Sequence, residues 1–314
     1  MLRDTLKPAL AALASQGVFV GTSSWKYPGW RGQIYDEQRY IHHKKFSVAR
    51  FERTCLAEYA ETFPTVCVDG AYYQFPSEAY LAKLTGDVPP DFKFTLKVTD
   101  EITIRNFPNL PRFGPRAGTS NSNFLNAGLF QSAFLRPCET VRPYIGVLIF
   151  EFSRFHAKDF EHGRDFVAAL EAFLAQLPKT WRYGVEMRNR QWLQPDYFAA
   201  LAQHNVAHVF NSWSAMPSIA EQLAMPGIET ADFSVARFLL KPGRTYEQSV
   251  KLFEPYTETK EVVEDAREAG KTMIRQGKAK ARPTFIYVNN RLEGSAPSTI
   301  RAMLDASDSA QPSP

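Results

Sequence analysis

Glu186 and Arg188 stand two residues apart at the end of the apolar run Tyr183-Gly-Val-Glu-Met-Arg188. In a β-strand the two side chains share a face, because successive residues alternate, and Val185 and Met187 take the other face. A buried pair of opposite charge is costly and persists only when matched, so the pair is either structural or part of a site. A second carboxylate, Glu151, follows the apolar run Gly146-Val-Leu-Ile-Phe150. Neighbouring strands lie ~4.8 Å apart, close enough for Glu151 and Glu186 to separate their pKa values into acid and base roles. These two are the expected catalytic residues, with an ion pair to Lys97 as the alternative role for Glu151. Lys97, Arg188 and Arg237 form a cationic set suited to a phosphate or carboxylate. Each also has an alternative partner in Asp69, Glu151 or Glu186.

Polar and aromatic residues follow the other apolar runs in the same way. Trp25, Tyr27, Asp69, Tyr73, Trp192, Trp213, Asn289 and Asn290 are the remaining expected substrate-binding residues. The rings suit stacking on a sugar or a base. The asparagines either hydrogen-bond a ligand or shape the strand exit. With Trp30, four of the five tryptophans fall after strands, and Trp181 precedes one.

Eight β-rich runs position these residues: 18–25, 65–69, 92–98, 145–152, 183–188, 207–211, 234–240 and 284–289. Several are apolar on both faces, as in parallel strands covered by helices. Amphipathic stretches alternate with them, including 51–63 and 165–177. The pattern predicts a single (β/α)8 TIM-type barrel over 18–304, where chemistry belongs at the strand ends. A doubly wound sheet is the alternative, without a G-x-G-x-x-G to support it. Residues 1–17 form an N-terminal helical extension, 105–144 a long excursion after the third strand that can act as a lid, and 305–314 a disordered tail.

Composition excludes several classes. The three cysteines (Cys55, Cys67, Cys138) are odd in number and form no C-x-x-C pair. That argues against a zinc ribbon or disulfide scaffold and for a reducing cytoplasm. The six histidines show no ligand spacing, so no metal or other cofactor is expected. A carboxylate-only magnesium site through Asp69, Glu151 and Glu186 is the alternative. No apolar run reaches a membrane span, and the first residues read as an amphipathic helix rather than a signal peptide. Net charge is +4, and the densest basic run, from Lys271 to Arg282, reads as a solvated helix end.

Several segments together resemble a known family. They are Gly21-Thr-Ser-Ser-Trp25-Lys-Tyr27-Pro-Gly-Trp30, Tyr72-Tyr73-Gln-Phe-Pro76-Ser77 and Phe92-Lys-Phe-Thr-Leu-Lys97, then Gly146 to Phe150, Glu186-Met-Arg188 with Trp192, and Val288-Asn289-Asn290 with Gly294. This order is similar to that of domain-of-unknown-function family 72, the YecE-like proteins. The resemblance implies a TIM-type barrel and no particular activity. The chain departs from the family pattern at Cys67 to Tyr73, at Glu151 in place of a usual Gln, at Asn189 in place of a usual His, and in lacking a His-Gly after Arg237.

The residues themselves favour a metal-independent acid/base enzyme, a hydrolase or isomerase, acting on a small anionic or sugar-like ligand. The alternatives are a nucleic-acid-binding or processing barrel, and a non-catalytic ligand-binding module whose charged lumen is structural. Barrel shape alone does not choose among them.

Overall fold

A computed structural model describes residues 1–305. Eight parallel strands close into a barrel. They are β1 (Val18–Thr22), β2 (Thr65–Val68), β3 (Lys93–Lys97), β4 (Ile145–Phe152), β5 (Tyr183–Met187), β6 (Ala207–Asn211), β7 (Ser234–Phe238) and β8 (Thr284–Val288). The barrel is laid down in chain order, with β8 returning to pair with β1. This is the fold the alternation predicts. Of the tail expected at 305–314, all but Asp305 lies outside the described residues.

Six of the eight predicted strands overrun at their C-terminal ends, the first most, because Ser23 and Trp25 already belong to the turn after β1; 145–152 and 207–211 match. The N-terminal helix, Leu2–Ala14, buries Leu6, Leu10 and Leu13 against the barrel. Its spacing of one apolar residue per turn makes that face. Among the described residues, no helix is long and apolar enough to cross a membrane.

Strand alternation sorts the interior. Leu148, Phe150 and Phe152 pack outward with the helices, whereas Val147 and Ile149 join Val209, Val235 and Phe285 in a lumen cluster. Above that apolar floor, the Tyr287 hydroxyl meets Thr65 Oγ1 at 2.9 Å and Thr95 Oγ1 at 2.6 Å. The charged residues come next towards the strand ends. The lumen is thus mainly apolar below and ionic at the top, as expected of a barrel whose chemistry sits at its C-terminal face.

The seam between β1 and β2 has the sparsest laddering in the barrel. One register pair, Thr22 with Val66, joins them, against five pairs between β1 and β8. The Tyr59 hydroxyl fills the gap. It accepts from the Thr22 amide at 3.1 Å and donates to the Thr65 carbonyl at 2.9 Å. Gly21 belongs here because a Cβ would overlap the Thr65 carbonyl oxygen.

Candidate functional site

Six ionic side chains meet at the C-terminal end of the barrel. Glu151 and Glu186 occupy matching register positions on β4 and β5, which confirms their shared lumen face. Glu151 Oε2 accepts three cations: Lys97 Nζ at 2.7 Å, Arg188 Nη2 at 2.9 Å and Arg237 Nη1 at 3.0 Å. Glu186 Oε1 accepts Arg188 Nε at 3.0 Å and Nη2 at 2.8 Å, and its Oε2 accepts Arg237 Nη1. Asp69, just past β2, lies 3.4 Å from Lys97 Nζ and 3.8 Å from Arg237 Nη2. Three cations match three carboxylates, so the network is neutral as a unit.

Burial divides the six sharply. Glu186 is fully buried, and Glu151, Lys97, Arg188 and Arg237 expose less than a tenth of their side chains, whereas Asp69 exposes 45%. Burial alone would raise the Glu151 pKa, but Arg188, Lys97 and Arg237 outweigh it and hold the carboxyl well below its ordinary range. Burial would likewise lower Lys97, yet Glu151 and Asp69 hold it above its usual value. Arg188 and Arg237 stay charged for the same reason. Glu151 is therefore a fixed anion, so the expected acid/base division between Glu151 and Glu186 does not fit this environment. Both oxygens of Glu186 are already occupied by arginines. These two carboxylates hold the cations in place.

Asp69 is different. Its Oδ1 is turned inward and lacks a hydrogen bond, despite the two cations nearby, and the rest of the carboxylate faces solvent. Arg237 Nε, deep in the network, also lacks a partner.

Aromatic rings roof the network. Arg188 Cζ lies 3.9 Å from the centre of the Trp213 ring, and Lys97 Nζ lies 4.1 Å from that of Tyr72. Both distances suit cation–π attraction. Tyr72 was not among the expected binding residues; its neighbour Tyr73 was. Residues 70–73 form a helical turn rather than a strand extension, which buries Tyr72 and leaves Tyr73 63% exposed.

Other expected residues lie apart from the ionic centre. Trp192 stacks on Phe155 and Phe166 at 5.6 Å from each, outside the barrel. A Cβ on Gly163 would come within 2.7 Å of its ring. Its expected role at the mouth is corrected to packing of the helix that follows β4. Asn289 Oδ1 accepts from the Arg291 amide at 3.0 Å and shapes the turn after β8. Asn290 Oδ1 accepts from Trp30 Nε1 at 3.2 Å and from the Ala296 amide at 2.8 Å, tying the first loop to the last helix. The asparagines thus take the strand-exit role. Trp25 is buried, with Lys26 Nζ 5.7 Å from its ring centre. Tyr27 leans on Trp30 and Tyr256, and burial pushes its hydroxyl up to about 12.

Only the first part of the excursion after β3 forms a flap; from Ala127 the chain is helical and buries Phe130, Phe134 and Cys138 in the main core, so the expected lid does not extend to 144. Phe107 and Phe113 pack together with Ile104, giving the flap a small core of its own. Arg112 reaches from it to Asp100 at 3.4 Å and over the Tyr73 ring at 5.3 Å. The loop after β4 is fixed by Asn189, whose side chain accepts from the Phe155 amide at 2.8 Å and donates to its carbonyl at 2.9 Å. Among the described residues, no three His, Cys, Asp or Glu side chains form a group placed to hold a metal ion.

Residues 19–314 match the family model described as "Protein of unknown function DUF72". The chain belongs to this family. Among solved structures, it is similar to a DUF72 family protein from Enterococcus faecalis V583, at 16% identity and a TM-score of 0.60, with 94% of this chain and 96% of that one covered. A DUF72 family protein from Thermotoga maritima MSB8 is also similar, at 19% identity and a TM-score of 0.57, with 91% and 96% covered. At these identities the likeness establishes the DUF72 barrel and leaves the chemistry to the site itself. No curated protein matches the chain.

Proposed function

We propose that the barrel mouth binds a small polar ligand carrying an anionic group and transforms it by metal-independent acid–base chemistry, with Asp69 exchanging the proton. The observation that carries this reading is the contrast within the network. Five of its ionic side chains are buried and matched, whereas Asp69 is half-exposed with an oxygen left without a hydrogen bond. A carboxylate in this position accepts a proton from a ligand hydroxyl, a water or an acidic C–H group. Lys97 and Arg188, fixed by Glu151 and Glu186, stabilise the negative charge that develops on the ligand. Trp213 and Tyr72 supply flat apolar walls against which a sugar-like ring packs. Hydrolysis and isomerisation both use this set of groups.

A thermal-shift screen of phosphorylated, carboxylated and neutral sugars tests the proposal, followed by turnover assays on the hits. Asp69→Asn should retain the melting temperature and lose turnover. Full turnover by Asp69→Asn overturns the assignment of Asp69. Affinity for DNA that falls steeply with salt, with no small-molecule hit, favours the nucleic-acid reading instead.

A further inference from the structure

Beside the mouth, a cleft of about 480 Å³ lies between the flap and the loop after β4. Arg105, Arg112, Arg154 and Lys158 line it together with one carboxylate, Asp159. That carboxylate is already engaged, accepting from Asn106 Nδ2 at 2.6 Å and from the His156 amide at 2.8 Å. Arg105 rests over Phe124 and Phe160, with its Cζ 5.5 and 5.3 Å from the ring centres. Arg154 and Lys158 are exposed, and among the described residues neither makes an ion pair. Two basic pairs elsewhere on this protein share a carboxylate. Lys280 and Arg282 share Glu229 at 2.5 and 2.8 Å, and Lys241 and Arg244 share Glu261. Arg112 is paired with Asp100, but among the described residues Arg105, Arg154 and Lys158 make no ion pair, so the cleft carries positive charge in excess of Asp159.

We propose that this cleft is a phosphate-binding subsite, and that the ligand of the mouth is a small phosphomonoester. This rests on the reading of the mouth given above. Tyr72 is the link, since it lines the cleft and also lies 4.1 Å from Lys97 Nζ. A molecule with its phosphate among the cleft cations extends past Tyr72 towards Lys97 and Asp69. Phe107, Leu110 and Phe155 contribute apolar wall, and low-dielectric walls focus the field of the cations into the cleft. The volume falls within the range of small-molecule sites. A nucleic-acid backbone calls instead for an open basic stripe.

Titration with inorganic phosphate, followed by backbone amide NMR with acetate as control, tests the subsite. Saturable binding is expected, with shifts concentrated in residues 104–118 and 153–159. The double variant Arg154→Gln/Lys158→Gln should keep its melting temperature and weaken phosphate binding about tenfold or more, as loss of charge-assisted bonds requires. Glucose 6-phosphate should displace the phosphate, and glucose should not. Asp69→Asn should leave phosphate binding intact, so failure of the mouth and failure of the cleft are distinguishable. Absence of phosphate binding, or binding that the double variant does not change, overturns the subsite. Displacement by a short DNA duplex but not by glucose 6-phosphate overturns the small-molecule ligand.

Discussion

Glu151 and Glu186 sit side by side on β4 and β5 and share both Arg188 and Arg237. Each arginine bridges the two carboxylates, so neither anion is isolated in the lumen. Its five enclosed members act as one body, and removing any of them leaves others uncompensated in a place water barely reaches.

Glu186→Gln should therefore destabilise the protein by about 3–5 kcal/mol, the cost of breaking a buried ion pair. Asp69→Asn, at the half-exposed edge, should change stability by less than about 1 kcal/mol. Urea denaturation of the two variants measures the difference. Equal stability losses would refute the division between a buried frame and an accessible edge.

Acid should weaken the fold in two stages. His208 faces the helices, with Nε2 donating to Gln222 Oε1 at 3.1 Å, and burial lowers its pKa from 6.5 to about 4. Between those values the unfolded chain takes up a proton that the folded chain does not, so stability falls as pH drops from 6.5 to about 4. The loss from this group is on the order of 3 kcal/mol. Glu151, depressed below its ordinary 4.5, adds a second loss that begins near that value and deepens towards lower pH. Denaturation curves from pH 7 to 3 should show His208→Gln flattening the upper stage and Glu151→Gln the lower.

Trp192→Ala should cost about 3 kcal/mol through lost packing against Phe155 and Phe166. Any ligand found for the mouth should bind this variant with nearly unchanged affinity. Calorimetry on the folded variant decides, and a large loss of affinity would return Trp192 to the site.

At the seam, Tyr59→Phe removes the group that joins the Thr22 amide to the Thr65 carbonyl. A loss of about 1–3 kcal/mol is expected for buried groups left unpaired. Amide exchange at Thr22 should accelerate, while exchange within β4 and β5 follows only the global change in stability. Unaltered exchange at Thr22 would show that β1 and β2 hold without the phenol.

The barrel was legible because its strands are rich in apolar and β-branched residues and end in polar ones. Parity placed Glu186, Arg188 and Glu151 correctly in the lumen. Parity says nothing about depth along the barrel axis, which depends on strand stagger. The sequence therefore did not distinguish buried Glu186 from half-exposed Asp69. It also fails once the strand stops. Tyr72 and Tyr73 change roles in a helical turn, and Trp192 is the last residue of a 3-10 turn (Arg190–Trp192) that carries it outside the barrel. Arg112 had no periodic signal, since it comes from a segment rich in Pro and Gly whose position is set by its own small core.

The depth of the ionic network also governs how the protein responds to salt. Mobile ions screen charges that they can approach, and buried pairs much less. Lys97, Arg188 and Arg237 are enclosed, whereas Arg154 and Lys158 stand in solvent. Raising ionic strength therefore attenuates the field of the cleft and leaves that of the mouth almost intact. The same surface thus presents a salt-sensitive half at the cleft and a salt-insensitive half at the mouth.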